Sequence, residues 1–240
     1  MYDALFETAT ETLLELTASR WRALPGITSV LHTWTREMWL HPHVHMLVTA
    51  GGLALDGDRW RHRRTYLFPL HMMADVFRAK MLDALRQLSR QGTFSGYPDF
   101  EDPEAFDRLT TTLAKVRWIV FAKRPFRRPK HVLRYLGRYT HRVALSNSRL
   151  LDVSPTAVTL RARGAQTATL TPVEFLRRFV QHVLPDGFHK IRHHGLYASA
   201  NTQTRWPRAR ALLSRAPARP CRTPRSPHAR GPRPPGKSTS

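Results

Sequence analysis

The sequence predicts an α+β fold, a mainly antiparallel central sheet with helices packed on it, on three observations. Residues 3–18, 70–88 and 172–183 place apolar side chains every three or four positions, as helices with one buried face do. Shorter stretches at 27–34, 43–50, 60–66 and 116–122 alternate or are rich in β-branched and aromatic residues, as strands are. Turn-forming pairs such as Pro25-Gly26, Asp56-Gly57 and Asn147-Ser148 punctuate them.

Taken in order, Leu5, Leu13, Leu14 and Leu16 among Glu and Thr make an amphipathic first helix. Ile27 to Trp34 follows as a strand, and the stretch His41-Pro42-His43-Val44-His45-Met46-Leu47-Val48-Thr49-Ala50 supplies a second strand expected beside it and central in the sheet. With a period of two, His43, His45, Leu47 and Thr49 share one face, and Val44, Met46, Val48 and Ala50 the other. Same-face neighbours stand roughly 6.6 Å apart, so both imidazoles can lean onto one cation. The same spacing also fits two histidines that merely line a polar sheet face. Gly51-Gly52 ends this strand, and Trp60 to Tyr66 returns as another with Arg59, Arg61, Arg63 and Arg64 on or beside it.

The helix over 70–88 turns Val76, Phe77, Met81, Leu82, Leu85 and Leu88 inward and leaves Arg78, Lys80 and Arg86 exposed. A loop over 92–103 and a short helix over 104–113 lead to Val116–Ala122, the clearest strand signal in the chain. Lys123-Arg124-Pro125-Phe126-Arg127-Arg128-Pro129-Lys130 then surrounds one aromatic with five cations. Such a segment suits a nucleic-acid backbone, with Phe126 free to stack on a base, or a solvated basic loop. His131 to His141 reads as a helix on which Tyr135 and Tyr139 are an i, i+4 pair, surrounded by Arg134, Arg138 and Arg142. Those cations favour phenolate and hold phosphate oxygens, although an aromatic pair at this spacing also fills cores. Short strands at 143–145, 150–153 and 157–161 precede a helix over 172–183 with Phe175, Leu176, Phe179 and Val183 inward, and a basic stretch follows at 188–195.

Composition limits the function classes. The 240 residues include 41% hydrophobic ones, enough for a real core, and 39 Lys and Arg against 17 Asp and Glu give a net charge of +22. Residues 201–240 hold ten of the cations and no acid, which leaves +12 for residues 1–200, so the folded part is itself basic. A polyanion such as nucleic acid is the expected partner. No run of about 18 apolar residues and no signal peptide is evident, so no membrane association is expected and a cytoplasmic location is. The single cysteine, Cys221, rules out a disulfide or a cysteine zinc site within this chain, so any metal must use His, carboxylate or amide ligands. The domain reading is 1–200 as one catalytic domain and 201–240 as an Arg/Pro-rich tail, disordered beyond about 214.

Several stretches together resemble one family. His43-Val44-His45 is similar to the metal motif of HUH endonucleases, and Tyr135-Leu136-Gly137-Arg138-Tyr139-Thr140-His141-Arg142 to the paired-tyrosine helix of rolling-circle insertion-sequence transposases. Leu31-His32-Thr33-Trp34, Ala122-Lys123-Arg124-Pro125-Phe126, Arg142-Val143-Ala144-Leu145-Ser146-Asn147 and Phe188-His189-Lys190-Ile191-Arg192-His193-His194-Gly195-Leu196 extend the resemblance, in order, over about residues 3–213. It implies an HUH-like fold and metal-dependent cleavage and joining of single-stranded DNA, at element ends and target, through a 5′-phosphotyrosine. His43 and His45 would hold Mg²⁺ or Mn²⁺, Tyr135 and Tyr139 would be the nucleophiles, and Lys123, Arg124, Phe126, Arg127, Arg128, Arg134, Arg138 and Arg142 would bind DNA. The third metal ligand stays open among His141, His131 and His41. The family usually begins with a cysteine-rich zinc module and an early strand, so a copy truncated at its N-terminus is expected. The alternatives are an inactive DNA-binding remnant of such a transposase and, behind it, a plasmid replication initiator or relaxase.

Overall fold

Buried threonines let the first helix be more polar in sequence than in effect. In α1 (Tyr2–Leu16) the hydroxyls of Thr8 and Thr12 donate to the carbonyls of Ala4 and Thr8, one turn back, at 2.7 Å each. Their burial therefore costs little. Leu13 and Leu16 of this helix join Trp21, Ala23, Ile27, Phe68 and Met73 in the main core, where the Trp21 and Phe68 rings stack at 5.1 Å. The computed structural model describes residues 1–63, 67–126, 128–140 and 145–215, with positions 98, 99 and 138–140 described by backbone alone.

After α1 come β1 (Ala23–Leu24), β2 (Gly26–Trp34), β3 (Leu40–Val48), β4 (Gly51–Ala54) and β5 (Trp60–His62). Helices α2 (Leu70–Arg90), α3 (Pro98–Glu101), α4 (Pro103–Lys115) and α5 (Pro129–Thr140) follow. The chain continues through β6 (Leu150–Val153), β7 (Val158–Arg161), β8 (Thr167–Leu170), α6 (Pro172–Val180), β9 (Ile191–Gly195) and α7 (Arg205–Arg215). Helix starts follow their caps: Asp102 accepts from the backbone N–H groups of Glu104 and Ala105 at 3.0 and 3.2 Å, and Thr171 from that of Glu174 at 3.3 Å. Helix α2 packs on α1, and Lys80, expected to be free on its outer face, instead pairs with Glu15 at 2.9 Å and Glu11 at 3.5 Å.

The α+β class stands, but one large sheet does not form among the described residues. All pairings are antiparallel, in three small sheets ordered β1-β4-β5, β3-β2-β9 and β6-β7-β8. The histidine strand β3 is consequently an edge of its sheet rather than its centre; β2 takes the middle because β9 pairs on its other side. Gly195 makes the exit from β9 possible. It sits at φ +61°, where a side chain would be driven into the carbonyl of Pro25.

Further expectations are corrected. Residues 117–126 form no strand, although they keep the alternation: Val120 and Ala122 pack on the main core, while Ile119 and Phe121 are 90% and 76% exposed. Strand propensity records how side chains suit a half-buried surface, a condition this stretch meets without being a strand. In α6, only Phe175 of the four expected inward residues reaches the second core of Met38, Val158 and Leu160; Leu176, Phe179 and Val183 are exposed. The small sheet beneath covers no more of the helix, whose inner face presents Arg178 and His182 from its end instead. Part of the loop over 92–103 is the single turn α3, and Leu145 lies in no strand. Residues 64–66 of the expected return strand, 143–144 of a later one and 216–240 of the tail lie outside the described residues. Helix α7 places Ala209 against Leu53 of β4 and Leu196. Among the described residues no helix is long and apolar enough to cross a membrane.

Candidate functional site

The site grows from the β2–β3 hairpin. Antiparallel register sets His32 of β2 directly opposite His43 of β3, and Val30 opposite His45, so His32 joins the face that His43 and His45 share. The connecting turn is closed by the N–H of Thr35 donating to the carbonyl of Trp39 at 3.0 Å and that of Met38 to the carbonyl of Thr35 at 3.2 Å. Met38 adopts a left-handed conformation (φ 62°) that drops its side chain, fully buried, into the second core.

Nitrogen atoms of His32, His43 and His45 lie within 4.8 Å of one another, so the three side chains could hold a metal ion. His32 is buried and its ring lies flat on Trp34, 4.6 Å away at 17°. Its ring centroid is 5.5 Å from that of His43 and 4.6 Å from that of His45, and the latter two are 4.9 Å apart. His43 Nδ1 is 2.7 Å from the carbonyl of His41; as donor there it leaves Nε2 with a free lone pair. Burial pushes the His43 imidazole below its ordinary pKa. Burial first, and then the positive charges that His32, His43 and Lys123 would set beside it, push His45 down to about 3. Neutral imidazole is the ligating form. The donor set therefore fits a cation: three convergent imidazoles on a paired, backed hairpin, two of them held toward the neutral form.

Helix α5 lies against β2 and brings Tyr135 to this cluster. The Tyr135 hydroxyl is 3.3 Å from His45 Nδ1, and its ring stands 6.2 Å from that of His45 and 5.4 Å from that of Phe126. Tyr139 and Arg138 fall further along the same helix, described there by backbone alone, and Arg134 is exposed on it. Lys123 reaches toward His45 and also lies 5.9 Å over the Phe121 ring. Arg124 and Arg128 are exposed, and Arg127, His141 and Arg142 lie outside the described residues.

Of the histidines considered as a third ligand, neither His131 nor His41 belongs to the three-histidine cluster; His32, which sequence reasoning missed, does. The signal was available. A hairpin turning over residues 35–39 brings His32 near the histidine strand, and the one-residue register shift between His32 and Trp34 then sets it opposite His43 rather than Pro42.

Two residues from α6 and its end brace this hairpin from behind. His182 Nδ1 meets the Thr33 hydroxyl at 3.2 Å and its Nε2 the Met38 carbonyl at 3.1 Å; with Nε2–H donating, Nδ1 accepts, and burial holds the ring below its ordinary pKa. Arg178, also buried, donates to Glu174 Oε1 at 2.6 Å and to the Glu37 carbonyl at 3.0 Å.

The model of the family described as "Putative transposase" matches residues 26–205, from the first residue of β2 to the first of α7. The chain is 36% identical to "Putative transposase y4qJ" of Sinorhizobium fredii over 235 residues, 93% of this chain and 59% of that protein. It is 28% identical to the "Transposase for insertion sequence element IS801" of Pseudomonas savastanoi pv. phaseolicola over 213 residues, 83% of this chain and 49% of that one. The chain thus spans about half to three-fifths of the length of these curated relatives. No solved structure matches it.

Proposed function

We propose, from the premise that this chain belongs to the transposase family, that it cleaves and rejoins single-stranded DNA through a tyrosine–phosphate bond, in rolling-circle transposition of the HUH, two-tyrosine type. The observation that carries the reading is the Tyr135 hydroxyl 3.3 Å from His45, beside three convergent imidazoles. His32, His43 and His45 would hold a divalent cation, whose contribution when bound is Lewis-acid polarisation of the scissile phosphate. An all-imidazole set suits Mn²⁺ better than Mg²⁺, which prefers oxygen ligands.

The chain's own residues do the rest. A phenol with a pKa near 10 is a weak nucleophile at neutral pH and needs help. His45, with its ring neutral and its hydrogen on Nδ1, would donate to the Tyr135 oxygen 3.3 Å away, which favours phenolate. Lys123, next to His45, adds positive charge where the phosphate would lie. As the tyrosine oxygen bonds to phosphorus, the phenol proton passes to solvent; the bond from phosphorus to the 3′ oxygen breaks, and that oxygen takes up a proton from solvent to leave as a hydroxyl. The 5′-phosphotyrosine conserves the bond for rejoining, and Tyr139, one turn along α5, would serve the second transfer. Arg124, Phe126, Arg127, Arg128, Arg134, Arg138 and Arg142 would guide the strand by phosphate contact and base stacking.

The test is incubation of the chain with labelled single-stranded oligonucleotides from its own element ends and Mn²⁺, followed by a denaturing gel. A shifted covalent adduct is expected, lost in Tyr135→Phe and in His45→Ala. Adducts that persist in the Tyr135→Phe, Tyr139→Phe double variant would refute the reading. Salt-sensitive binding with no adduct would assign the chain to DNA binding alone.

A further inference from the structure

We infer that Trp39 is a platform for an unpaired nucleobase at the open end of the histidine hairpin, with Arg36 and Arg149 placed for the phosphate of the same nucleotide. The inference deepens the function proposed above and rests on it for the identity of the strand.

Trp39 ends the 35–39 turn and directly precedes β3. Its backbone is fixed from both sides: its carbonyl accepts from the Thr35 N–H at 3.0 Å, and its N–H donates to the Thr35 hydroxyl at 3.2 Å. The guanidinium carbon of Arg178 lies 3.4 Å from the ring centroid and covers one face. That guanidinium is not a loose surface cation; Arg178 is buried and anchored to Glu174 and to the Glu37 carbonyl, so the indole rests on a rigid support. Trp39 nevertheless stays 51% exposed, and its contact with Arg178 uses a single face of the ring.

The surroundings favour a nucleotide over an apolar partner. Arg36 belongs to the same turn, and Arg149 reaches it by donating to the Arg36 carbonyl and, at 3.1 Å, to the Arg161 carbonyl. Burial and the neighbouring Arg36 hold the Arg149 guanidinium below its ordinary pKa, while the Glu37 carboxylate works the other way; the two cations outnumber that carboxylate at the turn, a balance that favours a further anion there. Flat stacking on one face with cations at the side is how proteins hold single strands without reading sequence. Trp39 also stands four residues before His43, roughly 13 Å along the strand, so a base seated on it belongs to the strand that enters the tyrosine centre.

The experiment is fluorescence anisotropy of one labelled single-stranded oligonucleotide of fixed sequence and of versions carrying an abasic site at each position in turn. Trp39→Ala is expected to weaken single-strand binding about tenfold, Trp39→Phe much less, and duplex binding not at all. One abasic position should weaken the unaltered protein by a similar factor and leave Trp39→Ala unaffected. Equal binding by Trp39→Ala, or an abasic effect that persists in it, would overturn the inference. Arg36→Gln is expected to reduce the salt dependence of single-strand binding, and an unchanged salt dependence would remove the phosphate contact. Because the readout is binding, it separates from the function itself: a protein that forms no covalent adduct but shows the abasic coupling keeps the platform and loses the chemistry. One that forms adducts without the coupling does the reverse.

Discussion

Replacing His182 by alanine tests whether the hairpin that carries the histidines depends on what stands behind it. His182 is only 3% exposed and meets two groups, the Thr33 hydroxyl at 3.2 Å and the Met38 carbonyl at 3.1 Å. Removing the ring strands both in a dry site, at about 1–3 kcal/mol for each buried group left unsatisfied. The space vacated adds a cavity cost, so a loss of about 3–5 kcal/mol is expected, a large share of a domain's usual stability of about 5–15 kcal/mol. Urea unfolding followed by far-ultraviolet circular dichroism measures it, with Thr33→Val as companion. That variant removes one partner only and should lose about 1 kcal/mol, less than additively with His182→Ala because both touch one hydrogen bond. A His182→Ala loss below about 1 kcal/mol, or strict additivity of the two changes, would refute the bracing role.

Other consequences follow from the same geometry. Calorimetric titration with Mn²⁺ should find binding abolished by His32→Ala and retained in His131→Ala; the reverse pattern would move the third ligand onto α5. Stability should fall as the pH drops from 7 to 5. His43, His45, His182 and His194 are all held below the ordinary pKa of about 6.5, so the native state takes up fewer protons than the unfolded chain and their contribution, complete above that value, is lost as acid is added. Thermal melts at a series of pH values give the slope, and a flat profile would contradict the burial described. Gly195→Ala should destabilise by more than about 1 kcal/mol, since its φ of +61° is costly for a side chain and the Pro25 carbonyl blocks one; an unchanged melting temperature would mean that this turn can relax.

The sequence made the paired elements around the histidines legible because their signals are local. The period-two face of His43 and His45, the helical spacing of 70–88 and the i, i+4 tyrosines needed only neighbours in the chain, and the structure has a strand or helix at each. What stayed hidden depended on partners far along the chain. The stretch 117–122 has every local mark of a strand and is not one among the described residues, because a strand also depends on an available edge. The outward turn of Leu176 and Val183 followed from the narrow sheet beneath α6, whose third strand, β8, gave no hydrophobic signal of its own. His32 was overlooked because it was read as part of a neighbouring strand and not through the register that joins the two.

The spacing of the site along the chain separates its two halves in time. The three imidazoles all come from positions 32–45, one hairpin, whereas Tyr135 is 90 residues from its partner His45. Local hairpins close within about 1–10 μs, while long-range docking waits on the entropy of a large loop. The histidine hairpin is therefore a low-contact-order unit whose closing does not wait for α5 to dock. For the same reason a displacement of α5 would leave the three imidazoles in place.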